Sequence, residues 1–203
     1  MSTYSIDFLE HYGIIKAIRK KYRYNRENKK MKNTKKMTNY ITRAAIIAAL
    51  YAAVTLVVYP FSFGNMQVRI SEALTILPFF MPEAITGLFI GCIISNLFSP
   101  NFVILDVVFG SLATLSAAML THLCAKLGKK GRWLAPLPPV LVNAVVIGLV
   151  IALSTTGSEE GAFYTAFLFN CCTVGIGQFI SCYGLGIPLS YVFEKIKDKI
   201  KVH

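Results

Sequence analysis

The stretch Ser71-Glu72-Ala73-Leu74-Thr75-Ile76-Leu77-Pro78-Phe79-Phe80-Met81-Pro82-Glu83 decides how many times the chain crosses a membrane. Proline inside a helix removes a hydrogen bond and clashes with the preceding turn, yet it is tolerated in a first turn. Pro82 therefore predicts the start of a helix running to about Asn96, with a separate helix over residues 68–81 in front of it. Treating residues 71–98 as one span gives five crossings and leaves the C-terminal tail on the side opposite the N-terminal arm. Two helices here bring both termini to one side.

Charge placement favours the second count. Of 203 residues, 55% are hydrophobic and only 15% charged, with 21 basic against 10 acidic side chains and a net charge of +11. Soluble domains are roughly 25% charged, so this composition argues against one. It does not fit a nucleic-acid-binding stripe either, because residues 44–125 and 133–193 hold only Arg69, Glu72, Glu83, Asp106, Glu159 and Glu160. The remaining charge crowds into the arm, the loop Lys126, Lys129, Lys130 and Arg132, and the tail Lys195, Lys197, Lys199 and Lys201. Cationic short loops stay in the cytoplasm, so all three segments face inward. Apolar runs over residues 41–59, 106–124, 139–153 and 163–193 supply the other four helices, the last two joined by a turn at 154–161. The run 41–59 is long enough, at about 1.5 Å per residue, to cross a core of about 30 Å. The expected fold is an all-α integral membrane protein of the cell membrane: a six-transmembrane-helix bundle with both termini cytoplasmic.

Residues 1–37 form a basic cytoplasmic arm, 38–195 the membrane domain and 196–203 a basic tail. The arm reads as a disordered cationic tail, the alternative being a weakly amphipathic helix on anionic headgroups through Ile6, Leu9, Ile14 and Ile18. Met31 and Met37 offer alternative translation starts. Cys92, Cys124, Cys171, Cys172 and Cys182 all lie in apolar stretches without a CxxC pair or a histidine at ligand spacing, so they read as packing residues, and no cofactor or metal is expected.

A charged side chain in hydrocarbon costs about 2.5–3.5 kcal/mol on insertion scales, so such a group faces the bundle interior or a water-filled cavity. Glu72, Glu83 and Asp106 need that explanation, as do the amides Asn96, Asn143, Asn170 and Gln178. Each also has a purely structural reading. Glu83 in a first turn favours the helix macrodipole, and Asp106 fits an N-cap. Arg69 and Glu72 fit an i, i+3 ion pair, and Asn143 and Gln178 fit interhelical hydrogen bonding. Taken together with Tyr51, Phe61, Phe63, Phe79 and Phe109, the polar set suits a flat, nitrogen-rich heterocycle: rings to stack on, carboxylates for N–H donors, amides for a carbonyl. No GxxxxGK[ST] phosphate loop is present, since Gly128-Lys129-Lys130-Gly131 lacks its length and hydroxyl. His11 and His203 lie in the tails and His122 has no evident nucleophile beside it, so no enzyme is expected. Ala44, Ala48 and Ala52, like Ala45, Ala49 and Ala53, recur every four residues, a spacing that serves either partner docking or internal packing.

Four segments, in order, carry a family resemblance: Thr42-Arg43-Ala44-Ala45, Gln67-Val68-Arg69-Ile70-Ser71-Glu72, Leu105-Asp106-Val107-Val108-Phe109-Gly110 and Pro138-Pro139-Val140-Leu141-Val142-Asn143. Over about residues 38–195 the chain resembles the QueT family, substrate-binding S components of energy-coupling factor (ECF) transporters. The resemblance implies import of queuosine precursors, 7-deazaguanines such as pre-queuosine-1, pre-queuosine-0 or queuine, bound near the outer face under the loop after helix one. It implies a transmembrane T subunit and two ATPase subunits as partners, with the alanine-rich first helix, through Ala44, Ala45, Ala48 and Ala49, contacting the T subunit. It also implies that tilting in the bilayer moves the site inward. Joined to the residues, it assigns Glu72 and Asp106 to the guanine-like edge and a cationic aminomethyl group, and Asn143 and Gln178 to the carbonyl or ring nitrogens. Arg69 holds Glu72 or closes the site, Asn96 and Phe109 line it, and residues 60–66 form the lid. The competing expectation is a stand-alone secondary transporter or channel for another polar solute.

Overall fold

The computed structural model describes residues 3–58, 68–99, 104–156 and 160–196, and among these it is helical throughout, with no strand. Two compact units are present, Met1–Thr42 and Arg43–His203. The first is the arm. It is helical over its described residues, within a helix α1 that spans Thr3–Val57. After Gly13 it has no glycine or proline and is rich in Lys, Arg and Met, all strong helix formers. Its described side chains are almost all exposed.

The second unit holds the remaining elements: a 3₁₀ helix α2 (Ile70–Phe79), α3 (Glu83–Leu97), a π-helical turn (Asp106–Gly110) entering α4 (Ser111–Cys124), a short α5 (Gly128–Leu134), α6 (Leu137–Thr156), α7 (Glu160–Phe179), a second π-helical turn (Ile180–Gly186) and α8 (Ile187–Ile196). Four helical segments are long and apolar enough to cross a membrane, 16–57, 106–134, 137–155 and 161–196, and α2 and α3 are shorter apolar helices.

The boundary at Pro82 falls where the sequence puts it, with Pro82 preceding α3 and the amide of Ile85 returning to the Pro82 carbonyl at 3.1 Å. The helix before it differs in kind. A 3₁₀ helix rises about 2.0 Å per residue against about 1.5 Å for an α-helix, so ten residues reach about 20 Å where an α-helix would reach about 15 Å. Pro78, which lacks an amide hydrogen, sits inside it without leaving an unused donor. This helix is buried on nearly every side, by Ser71, Glu72, Ala73, Thr75, Ile76, Leu77 and Pro78, and packs against α3, α4, α8 and the second π turn. The Pro78 carbonyl accepts a hydrogen bond from Nδ1 of His122 at 2.7 Å, which gives that histidine a structural role.

The two alanine rows of α1 separate cleanly. Ala44, Ala48 and Ala52 are buried, whereas Ala45, Ala49 and Ala53 are exposed. The buried row meets Gly87 and Gly91 of α3: a Cβ on Gly87 would stand 2.7 Å from the Ala44 carbonyl oxygen, and one on Gly91 would stand 2.9 Å from that of Ala48. Small residues on both helices let the backbones approach this closely. Of the four alanines expected to dock a partner, Ala44 and Ala48 are covered by the chain's own α3, and Ala45 and Ala49 are exposed.

One end of this unit gathers ion pairs and rings. Arg43 Nη1 meets Glu83 Oε1 at 3.1 Å, so Glu83 both opens α3 and holds α1. Arg132, expected in an exposed basic loop, is buried; its Nη2 reaches Glu194 Oε2 at 2.5 Å and its guanidinium lies 4.7 Å from the Tyr191 ring centroid. Phe80 and Phe193, close in sequence to Glu83 and Glu194, pack with ring centroids 5.2 Å apart. Phe79, offered as a stacking ring, packs on Phe80 at this end.

Candidate functional site

The polar residues of the helices collect away from the ion-paired end. Glu72 on α2 is completely buried, and its Oε1 accepts the hydroxyl of Tyr51 from α1 at 2.5 Å. One turn further along α1, Thr55 donates to Ser71 Oγ at 2.6 Å, a second tie between the same two helices. Asn143 of α6 lies within hydrogen-bonding reach of the Glu72 carboxylate, while the buried Oε2 has no partner in good hydrogen-bond geometry among the described residues. A buried acceptor left in that state costs on the order of 1–3 kcal/mol, and more when charged.

Arg69, just before α2, is buried and donates from Nη2 to Asn96 Oδ1 at 2.6 Å. The Asn96 amide in turn donates to the backbone carbonyl of Asp106 at 3.0 Å. Asp106 is not an N-cap: helical residues precede it and no side-chain cap bond forms. It opens the π turn, whose wide hydrogen-bonding pattern is frequent at functional sites. Gly110 closes that turn, and a Cβ there would lie 3.1 Å from Asn96 Nδ2, so the amide would have to give by a few tenths of an ångström. The Arg69 charge interacts with Glu72, Tyr51 and Asp106, which makes the two clusters one electrostatic unit.

Gln178 on α7 is buried and reaches the cluster through Cys182, whose thiol lies 3.6 Å from Gln178 Oε1 and 3.6 Å from the Glu72 carbonyl. Thr75 donates to the same carbonyl at 2.6 Å. Of the expected site residues, the structure brings together Glu72, Arg69, Asn96, Asp106, Asn143 and Gln178. It does not bring in Phe109, which is 46% exposed within the π turn. The expected lid, 60–66, lies outside the described residues. No cluster of three His, Cys, Asp or Glu side chains suited to a metal occurs among the described residues.

Sequence reasoning counted Tyr51 among nearby rings and missed it as the partner of Glu72, and it missed Thr55 and Ser71; Cys92, read as a packing residue, lies in the core. Cys92 is buried and accepts from Thr114 Oγ1 at 3.3 Å. The available signal was spacing: Ala44, Ala48, Tyr51 and Thr55 follow an i, i+4, i+7, i+11 pattern that marks one helix face.

The family model described as QueT transporter matches residues 41–195. A curated relative, the queuosine precursor transporter QueT of Lactococcus lactis subsp. cremoris (strain MG1363), is 30% identical over 169 residues, covering 82% of this chain and 96% of the relative. No solved structure matches. The matched region contains the helices that carry Glu72, Asn96, Asp106, Asn143 and Gln178, and the chain belongs to the QueT transporter family.

Proposed function

We infer that the chain is the substrate-binding S component of an ECF-type importer, which captures a queuosine precursor of the 7-deazaguanine class at the outer face of the cell membrane. Partner subunits, a transmembrane T subunit and two ATPases, drive uptake, and this chain is not an enzyme. The observation that carries the reading is Glu72: a carboxylate enclosed in an apolar bundle, with one oxygen held by Tyr51 and the other open toward Asn143. A 7-deazaguanine presents a ring N–H beside an exocyclic amine, the donor pair such an oxygen lacks. Asn143 and Gln178 serve its carbonyl or ring nitrogens, and Arg69, through Asn96, orders the rim near Asp106.

Six membrane-crossing helices accord with four long apolar helices plus α3 and α2, the latter reaching further than its residue count implies. Both termini are read as cytoplasmic, a reading supported by Arg43 beside the basic arm and Arg132 in the cationic loop, paired with Glu83 and Glu194. The functional division is then a basic arm over 1–37, a membrane domain over 38–195 and a basic tail over 196–203.

Mass spectrometry of the small molecule carried through purification tests the substrate class, and a 7-deazapurine is expected. Uptake in vesicles should require the ATPase subunits; uptake driven by an ion gradient in their absence would point to a stand-alone transporter. The T subunit then docks on the exposed row of Ala45, Ala49 and Ala53, flanked by exposed Ile46 and Leu50. Ala49→Trp should leave precursor binding within about twofold of wild type and reduce co-purification with the partner subunits by about tenfold or more. Undiminished assembly would remove this face from the proposal.

A further inference from the structure

The two oxygens of Glu72 differ in surroundings. Oε1 accepts the Tyr51 hydroxyl at 2.5 Å, while Oε2 is buried with no hydrogen-bond partner among the described residues. Tyr51 is fully buried, and its Cβ lies only 2.9 Å from where a Cβ on Gly91 would stand, so α3 holds it from behind. On the next turn the Thr55–Ser71 bond, 2.6 Å long, keeps the same face of α1 against α2. The hydroxyl therefore comes to Glu72 from a fixed position.

Fixing one oxygen matters because the terminal torsion of a glutamate is broad. A carboxylate free about that torsion rotates to meet any single donor. One anchored at Oε1 presents Oε2, and the plane through both oxygens, in one direction. Two parallel N–H···O bonds need that planar alignment, since hydrogen bonds weaken steeply when bent. Oε1 keeps a second lone pair beside the one Tyr51 uses, so both oxygens remain available to a ligand with paired donors.

We propose that Tyr51 is a positioning and specificity residue: by holding Oε1 it aims the carboxylate so that the site selects heterocycles with a ring N–H next to an exocyclic amine over those with the ring N–H alone. The proposal rests on the reading that Glu72 meets the substrate. It adds to that reading a residue on a different helix, and a discrimination that Glu72 alone does not impose.

The test uses the purified full chain and two probes, 7-deazaguanine and 7-deazahypoxanthine, which lacks the 2-amino group. Wild type should prefer the first. Tyr51→Phe, which keeps the ring and deletes only the hydroxyl, should weaken 7-deazaguanine binding by about ten- to one-hundredfold, the worth of a hydrogen bond to a charged group. Binding of 7-deazahypoxanthine should weaken much less, so the preference collapses. An equal loss for both probes would mark a merely structural role and overturn the proposal, as would no loss for either. Equal affinity of wild type for the two probes would also overturn it, whether or not the variant folds. Glu72→Gln separates this failure from that of the underlying reading: if it binds 7-deazaguanine like wild type, the reading itself falls; if it loses binding while Tyr51→Phe leaves the preference intact, only the role of Tyr51 falls.

Discussion

Glu72→Ala is expected to reduce precursor binding by at least about one-hundredfold while leaving the protein in the membrane. A fully desolvated charge-assisted pair is worth about 2–5 kcal/mol when one partner is removed, and about 1.4 kcal/mol is a tenfold change in affinity. Insertion should not suffer, because a carboxylate in the bundle costs energy that alanine does not. The fold loses one bond: Tyr51 keeps its ring packing but loses its acceptor, at a cost of about 1–3 kcal/mol. Equilibrium binding to detergent-purified protein, with membrane-fraction yield as the control, checks both parts. Wild-type affinity in the variant would show that the substrate lies elsewhere.

Gly91→Leu should act on the fold itself. Its Cβ would stand 2.9 Å from the Ala48 carbonyl oxygen and 2.9 Å from Tyr51 Cβ, with the Ala48 Cα at 3.1 Å. Backbone atoms cannot rotate aside, so α1 and α3 must separate. Overpacking typically costs about 1–3 kcal/mol, and here the loss of the flanking Ala44–Gly87 contact adds to it. Size-exclusion chromatography and thermal melting in detergent should show aggregation or a strongly lowered melting temperature. Gly175→Ala is the matched control, because its Cβ would meet only the Ala144 Cβ at an ordinary 3.5 Å. A Gly91→Leu protein that melts like wild type would mean that α1 and α3 do not pack through this face.

Much of the site is visible in the residues before any coordinates. Glu72, Asn96, Asn143 and Gln178 stand out because polar groups in apolar helices need an interior, and all four are at most 2% exposed. What they touch is less visible. The rows Ala44, Ala48, Ala52 and Ala45, Ala49, Ala53 have identical composition and spacing and differ by about 100° around the helix. Only the glycines of α3, some 40 residues later in the chain, select the row that is covered. Phe109 was a candidate ring because it lies near Asp106 in sequence, and such nearness does not say which way a side chain points; it is 46% exposed within the π turn at Asp106–Gly110.

The amino-acid sequence by itself determined that this is a membrane protein, where its helices begin at Pro82, and which polar side chains must point inward. Those follow from transfer energies and proline geometry, which act on each residue or segment alone. The tertiary structure alone decided that Tyr51 holds one oxygen of Glu72, that Arg69 reaches Asn96, and that Arg132 folds onto Glu194 and Tyr191. Those pairings depend on which helices become neighbours and at what rotation, a property of close-packed interfaces that no local pattern encodes.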